Sequence, residues 1–377
     1  MLALVNSAEI SDVERRDRLR LFRTAHIGPV TWRELMDHFG SATDAIAALP
    51  DFAGRAGRKR FEVVSESEAE AELERLTALD AKAITLGEPG YPEPLSAIDN
   101  PPPFLAVRGQ PAHLTRTGIA IVGARNASAN GRRVAETIAA DLASDPAVTV
   151  VSGLARGIDA AAHAGAICDG GSTVAAMAGG IDTVYPPENE GLYNDIVARG
   201  AAVSEMPPGL APRSKHFPRR NRIVSGLSLT VVVIEAARKS GSLITARLAG
   251  EQGRPVLAVP GSPLDPRAYG ANHLIREGAV LVRDAEDVFE AVRPMLAAET
   301  EPPERPATRR PTTILDRDVP NDKVRESVVA CLSPEPVAVD EIVRRCQLTA
   351  PIVRTILLEL ELAGRLERHP GNRVAAC

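Results

Sequence analysis

The 377 residues predict an α/β protein: a doubly wound parallel sheet, preceded by a helical module and followed by a winged helix-turn-helix. Six near-continuous apolar runs, at 118–123, 148–153, 172–180, 229–236, 255–261 and 279–284, alternate with Ala-rich helical stretches. That alternation is the signature of parallel strands covered on both faces. Ahead of these runs, apolar residues recur at three and four spacing from Asp17 to about Lys82. Behind them, three helical segments lead to two short extended pieces around Pro370, Gly371 and Asn372.

In chain order, residues 1–84 form the helical module, with a tight turn at Ile27, Gly28 and Pro29 between two helices. This is the arrangement of SAM and helix-hairpin-helix modules, some of which touch a DNA backbone through turn amides. Here the turn has no lysine or arginine of its own, so packing accounts for it better. Residues 85–294 carry the strands, and between them lie helical stretches such as 131–144, 160–170 and 243–253. In such a sheet ligands bind outside the carboxyl ends of the strands. Residues 295–320 are rich in proline and charge without apolar periodicity and read as an extended linker, and residues 321–377 form the winged helix.

Composition narrows the class of function. With 44% hydrophobic and 25% charged residues the chain can bury more than one core, and no run is long and apolar enough to cross a bilayer. Cys168, Cys331, Cys346 and Cys377 stand far apart without a CxxC pair or a histidine cluster, which points to neither zinc nor a disulfide framework. The N-terminus reaches acidic residues too soon for a secretory signal, so a cytoplasmic protein with no membrane contact is expected.

Three strand ends could hold an anion. After the first strand, Gly123 permits a tight turn, Ser128 can cap a helix starting near Asn130, and Arg125 adds a fixed charge. The exposed amides of that helix would suit a phosphate, but GARNAS lacks the GxGxxG spacing of a dinucleotide site, and no cofactor is expected. After the second strand, Ser152, Gly153, Arg156 and Gly157 make a small cationic turn, and Asp159 and His163 share one face of the next helix. As a catalytic or metal pair these two lack a third partner in a matching motif, so a buried, hydrogen-bonded pair that fixes the loop is the better reading. After a later strand, Lys239, Ser240, Gly241, Ser242 and Thr245 surround one positive charge just before a helix, without the GxxxxGK[ST] of an ATP-hydrolysing loop.

The most concentrated signal is FPRRNR at 217–222. The chain has a net charge of -5, yet 206–234 holds no acidic residue and contains Arg213, Lys215, Arg219, Arg220 and Arg222. One nucleotide would need one anion-binding turn, whereas a polyanionic strand can use several. Aromatic residues are only 3% of the chain, so Phe217 between Lys215 and Arg219 is notable. Cations along the phosphates with rings stacked on bases are how single-stranded nucleic acid is held. A core phenylalanine anchoring the stretch is the competing reading. A cation held for phosphate should lie outside the core, so Arg220 is expected to matter for binding and little for folding.

Taken in order, YPEPLSAIDNPPPFLAVRG (91–109), IAIVGARNASANG (119–131), VVSGLARGIDAAAHAGAICDGGSTVAAMAGGID (150–182), VSEMP (203–207), FPRRNRIVSGLS (217–228), EAARKSGSLITARLA (235–249) and VPGSPLDPRAYGANHLIREGA (259–279) resemble the DNA-processing protein A family, also called DprA or Smf. The resemblance implies a Rossmann-like domain that binds single-stranded DNA, protects it from nucleases and loads the RecA recombinase, in a non-enzymatic protein that is usually a homodimer. Carried over residue by residue, the DNA contacts it implies are Arg125, Ser152, Gly153, Arg156, Lys215, Phe217, Arg220, Asn221, Arg222, Lys239, Ser240, Gly241 and Ser242.

The alternative is a Rossmann-like nucleotide-processing enzyme akin to the phosphoribohydrolases. SGSLITA and PGS, the nearest equivalents here of the PGGxGTxxE turn, lack its paired glycines and glutamate. In the tail, 323–373 has eight basic and seven acidic residues, and the recognition-helix segment APIVRTILLELEL has one arginine against two glutamates. A helix that reads DNA should be cationic on its exposed face, so docking to protein or dimerisation suits this tail better.

Overall fold

The computed structural model describes residues 10–55, 62–168, 170–300, 322–369 and 371–377. It opens with α1 (Asp12–Arg23), α2 (Pro29–Phe39), α3 (Ala42–Arg55) and α4 (Glu66–Ala78). The Ser11 hydroxyl accepts from the Glu14 amide and starts α1, while Pro29 stands at the first turn of α2, where its missing N–H costs nothing. Leu19, Leu21, Trp32, Leu35 and Leu49 bury the shared apolar face.

The central segment runs β1 (Ala81–Thr85), α5 (Glu93–Ser96), β2 (Phe104–Gly109), β3 (Thr117–Gly123), α6 (Ala129–Ala143), β4 (Val148–Ser152), α7 (Ile158–Cys168), β5 (Thr173–Ala176), α8 (Glu190–Arg199), β6 (Ala201–Ser204), α9 (His216–Gly226), β7 (Thr230–Ile234), α10 (Ser242–Glu251), β8 (Val256–Ala258), α11 (Tyr269–Arg276), β9 (Val280–Leu281) and α12 (Ala285–Thr300). Its nine strands lie in the order β1-β2-β6-β5-β4-β3-β7-β8-β9. From β6 to β9 every neighbouring pair is parallel, and β2 pairs antiparallel with both β6 and β1. Each of the six apolar runs contains one of the parallel strands. Along β3, Ile119 and Ile121 enter one core while Ala120 and Val122 enter the other, so the sheet is apolar on both faces.

Three strands escaped the apolar-run criterion, and all lie on one side of the sheet. Strand β6 is four residues of mostly alanine and serine, β2 follows three prolines, and β1 reads as the end of a helical pattern. The boundary at 84 therefore cuts a strand: Ala81–Thr85 pairs with β2 and belongs to the sheet. The segment expected to be an extended linker begins later than its composition suggests, since α12 continues to Thr300. Residues 301–321 lie outside the described residues, as does Pro370.

The chain closes with α13 (Asp322–Ala330), β10 (Val337–Ala338), α14 (Val339–Cys346), α15 (Ala350–Leu362), β11 (Leu366–His369) and β12 (Arg373–Ala376), the last strand pairing antiparallel with the other two. This is the winged-helix order read from the sequence, with β10 as an added strand. Contacts divide the chain into two compact units where three bodies were expected: Ser11–Ala69 joins the C-terminal segment, and the central segment from Glu70 is the other. The reason lies in α15. Val353, Ile356, Leu357 and Leu360 face the winged-helix core, but Leu358, Glu359 and Leu362 are buried too, so the C-terminal half of the helix is covered on more than its core face. Glu359 lies 3.0 Å from Arg325 of α13 and 3.7 Å from Arg55 of α3, and Arg368 bridges Glu34 of α2 and Glu361 of α15 at 2.6 and 2.8 Å.

Candidate nucleic-acid interface

Strands β4, β5 and β6 follow one another on one side of β3, while β7 and β8 lie on the other, so the crevice of the sheet opens between the carboxyl ends of β3 and β7. A nucleotide phosphate would sit here, on the amides of α6. Instead the Glu235 carboxylate, at the end of β7, accepts from the Ser128 amide at 2.8 Å and from the Ser128 hydroxyl. The Ser128 hydroxyl in turn accepts from the Gly131 amide at 2.9 Å and caps α6 as expected. The expectation of exposed amides for phosphate is thus corrected. The positive end of α6 is already served by an internal anion.

The open cleft lies at the ends of β3, β4 and β5, against the start of α9. Its functional side chains are Arg125, Arg156, Thr183, Tyr185, Phe217 and Arg220. Gly157, at φ +78°, lets the turn after β4 lie against the carbonyls of Ala124 and Arg125, which brings the two cationic turns together. Gly153 is required for a different reason: a Cβ there would fall on the Arg220 guanidinium. On the far rim, Asp182 accepts from the Gly209 amide at 2.6 Å and from Arg75 at 3.1 Å, which fixes the loop carrying Thr183 and Tyr185.

Because FPRRNR is helical, its charges are sorted by a 3.6-residue period rather than presented together. Arg220 turns into the cleft and lies 3.6 Å from Asp159 of α7, both side chains being buried. Burial holds the Asp159 carboxyl above its ordinary range against the pull of Arg220, and it lowers Arg220 despite Asp159. The Nε of Arg220 is buried with no hydrogen-bond partner among the described residues. This overturns the expectation that Arg220 stands outside the core. It is a core ion pair whose cation also lines the cleft.

Phe217 is half-buried on the cleft wall, with Arg125 over its ring at 4.9 Å and the Tyr185 ring edge-on at a centroid distance of 5.7 Å. Tyr185 is 47% exposed and offers the open aromatic surface of the pair. It was missed in the sequence, although the scarcity of aromatics that drew attention to Phe217 applies to it equally. Arg156, on the rim, is ion-paired with Glu188. Three guanidiniums thus line the cleft, and two of them are paired with carboxylates outside its lining, Glu188 and Asp159.

Several residues carried over from the resemblance are engaged elsewhere. Ser152 is fully buried and its hydroxyl donates to the Ile121 carbonyl at 2.6 Å, tying β4 to β3. Arg222 is buried in an ion pair with Glu205, away from the cleft lining, because it lies two positions beyond Arg220 on the helix. Neither side chain is free to meet a ligand. Asn221 is buried and donates to the Gly241 carbonyl at 3.4 Å, so it braces the turn of Lys239, Ser240, Gly241 and Ser242 against α9. In that turn Lys239 and Gly241 are exposed, Ser240 and Ser242 share a hydrogen bond at 2.7 Å, and none of the four lines the cleft. Lys215 is exposed immediately before α9.

Asp159 and His163 both fix the turn after β4, as expected, though each does so separately. The Asp159 carboxylate accepts from the Ala155 amide at 3.4 Å, and His163 Nε2 accepts from the Leu154 amide at 3.3 Å. Thr173 donates its hydroxyl to the Val150 carbonyl, so His163 Nδ1, 2.7 Å from Thr173 Oγ1, must carry the proton. The imidazole is neutral in this network, and burial, reinforced by Arg220, lowers its pKa to about 3. Such a ring has no proton to exchange near neutrality. Among the described residues no group of three or more histidine, cysteine or carboxylate side chains could hold a metal, and no helix is long and apolar enough to cross a membrane.

Comparison with known proteins accounts for each segment of the chain. The family described as DNA recombination-mediator protein A matches residues 82–293, the DprA-like N-terminal HHH domain 12–74 and the DprA winged helix domain 298–372. Protein Smf of Synechocystis sp. is 32% identical, the match covering 92% of this chain and 95% of that protein. The X-ray structure of DNA processing protein A from Streptococcus pneumoniae is 33% identical, with a TM-score of 0.64 over 75% of this chain and 98% of that one. DNA processing protein A of Helicobacter pylori, whose structure concerns its single-stranded DNA binding mode, is 27% identical, with a TM-score of 0.51 over 57% of this chain and 97% of that one. With both flanking modules and the whole central sheet accounted for, the chain belongs to the DNA recombination-mediator protein A family, the DprA/Smf proteins.

Proposed function

We propose that the cleft binds single-stranded DNA, and that the protein shields incoming strands and hands them to the RecA recombinase as a non-enzymatic homodimer in the cytoplasm. The observation that carries the binding is a buried guanidinium with a spare donor, Arg220, beside an exposed aromatic edge, Tyr185 and Phe217. A base stacks on Tyr185, since one face of Phe217 is taken by Arg125. The phosphates meet Arg125 and Arg156, with Glu188 exchanged for a phosphate oxygen on Arg156. The likeness to the Helicobacter pylori protein supports the same reading.

A nucleotide-processing enzyme is disfavoured because Glu235 fills the helix terminus where a nucleotide phosphate would bind and His163 is locked neutral. The deciding experiment is a titration against single-stranded and duplex DNA of equal length across salt concentrations. Tighter binding of the single strand, with log affinity falling by about 0.7 per neutralised phosphate for each decade of salt, is expected. Equal affinity for both forms would reject the cleft reading. Base release from nucleoside monophosphates that tracks the protein through purification would favour the enzyme. RecA loading is tested separately, by RecA filament growth on strands precoated with single-strand binding protein.

A further inference from the structure

Next to the first cleft, across α6 and α7, lies a second and wider one whose lining includes Arg125, Arg132, Arg156, Gly157 and Ala160. Arg125 and Arg156 line both clefts, so the two form a continuous cationic track around the end of β3. Arg132 is exposed, and its side chain has no ion-pair or hydrogen-bond partner among the described residues. It is the fourth residue of α6, and the one anion at that helix end, the Glu235 carboxylate, is held by Ser128, so the Arg132 guanidinium has no anion of its own.

The two clefts differ in lining. The first has Tyr185 and Phe217, whereas the second has no aromatic residue, and Gly157, Ala160, Ala161 and Ala164 give it a low, open floor. Bases need rings to stack on, and sugar-phosphate needs only cations and room. We infer that the second cleft is a phosphate subsite centred on Arg132, which carries the sugar-phosphate backbone of nucleotides flanking those held in the first. Glu136, an exposed carboxylate in the same lining, opposes that backbone and sets how tightly the track holds. This rests on the single-strand reading of the first cleft and extends it.

The test uses the full chain, a short oligothymidylate that occupies only the first cleft and a longer one that reaches the second. Arg132→Ala should bind the longer strand about fivefold more weakly, lower its salt slope by about 0.7, and leave the short strand unaffected. Glu136→Gln should strengthen the longer strand alone. Both positions are exposed, and unchanged melting temperatures confirm that neither variant is misfolded. If the wild type binds both strands and Arg132→Ala loses neither, the subsite is overturned while the first cleft stands. Equal loss on both strands would place Arg132 in the first cleft and overturn it too. A wild type that binds neither strand would reject the single-strand reading itself and this extension with it.

Discussion

The central domain and the unit built from the N-terminal helices and the winged helix each bury an ion pair, and they do so in opposite senses. In the first, Arg220 is buried against one carboxylate, Asp159, with Nε left unpartnered beside an open cleft. In the second, the carboxylate of Glu359 is buried between two guanidiniums, Arg325 and Arg55, in the buried half of α15. Removing a cation from water costs several kcal/mol, which one carboxylate offsets only in part. An incoming phosphate completes the offset in the cleft, whereas Glu359 already has two cations, Arg325 and Arg55, supplied by its own chain. The difference separates a binding device from a structural one, although both are buried arginine–carboxylate pairs.

The sharpest way to break this distinction is at Arg220. Arg220→Ala should lose most affinity for single-stranded DNA and also cost about 3–5 kcal/mol of stability, because Asp159 is left buried alone. Adding Asp159→Asn should restore much of the stability and none of the binding. The stability deficit of the single variant should shrink as pH falls: a buried carboxyl with a raised pKa takes up a proton more readily in the folded state, so lower pH favours folding. Denaturant unfolding and DNA titration on the same preparations check both. A single variant that stays fully stable would mean that Arg220 is not part of the core.

That double role is also where the sequence is hardest to read. The parallel strands were legible because residues buried on both faces must be apolar throughout, and 118–123 and 229–236 say so without reference to anything distant. Strands β1, β2 and β6 were not, since short alanine-rich or proline-flanked segments carry little periodic signal and depend on neighbours far along the chain. In the site, the cationic character of FPRRNR was legible but its division was not. Only the helical period, together with Asp159 and Glu205 on other elements, sends Arg220 to the cleft and Arg222 to an internal partner. Tyr185 is 32 residues from Phe217 and reaches it only through the fold.

Glu359→Gln tests the other side of the comparison. It keeps the volume and removes the charge, leaving Arg325 and the part-exposed Arg55 with a poorer acceptor, so stability should fall by about 1–3 kcal/mol. Affinity for single-stranded DNA should not change, as the pair is architectural. A loss of affinity without a loss of stability would show that this unit takes part in binding and would erase the distinction drawn above.

Acid should act through the central domain. His163 has its pKa lowered from 6.5 to about 3, so its contribution is fully present above pH 6.5 and is lost as pH falls toward 3, because the unfolded chain takes up the proton first. Between pH 6.5 and 5, above the range where ordinary carboxylates titrate, this amounts to about 1.4 kcal/mol per pH unit. His163→Asn should flatten that slope in urea unfolding measured across the window. An unaltered slope would mean that the ring is accessible to protons in the native state, and the neutral assignment would fail.

The smallest effect is expected at Lys215, which lies outside the cleft and marks how far its field extends. The side chain is exposed just before α9, where the helix dipole makes the local potential positive and a lone cation is disfavoured until an anion arrives. Lys215→Ala should therefore leave the melting temperature unchanged, weaken single-strand binding only a few-fold, and reduce the salt slope by about 0.7, the share of one phosphate. Arg220→Ala changes stability and binding together, and Glu359→Gln changes stability alone. A Lys215 variant that changes binding alone would complete the set, with charge that serves the ligand and nothing else. If its salt slope matches the wild type, Lys215 meets no phosphate, and the cationic surface that matters is confined to the two clefts.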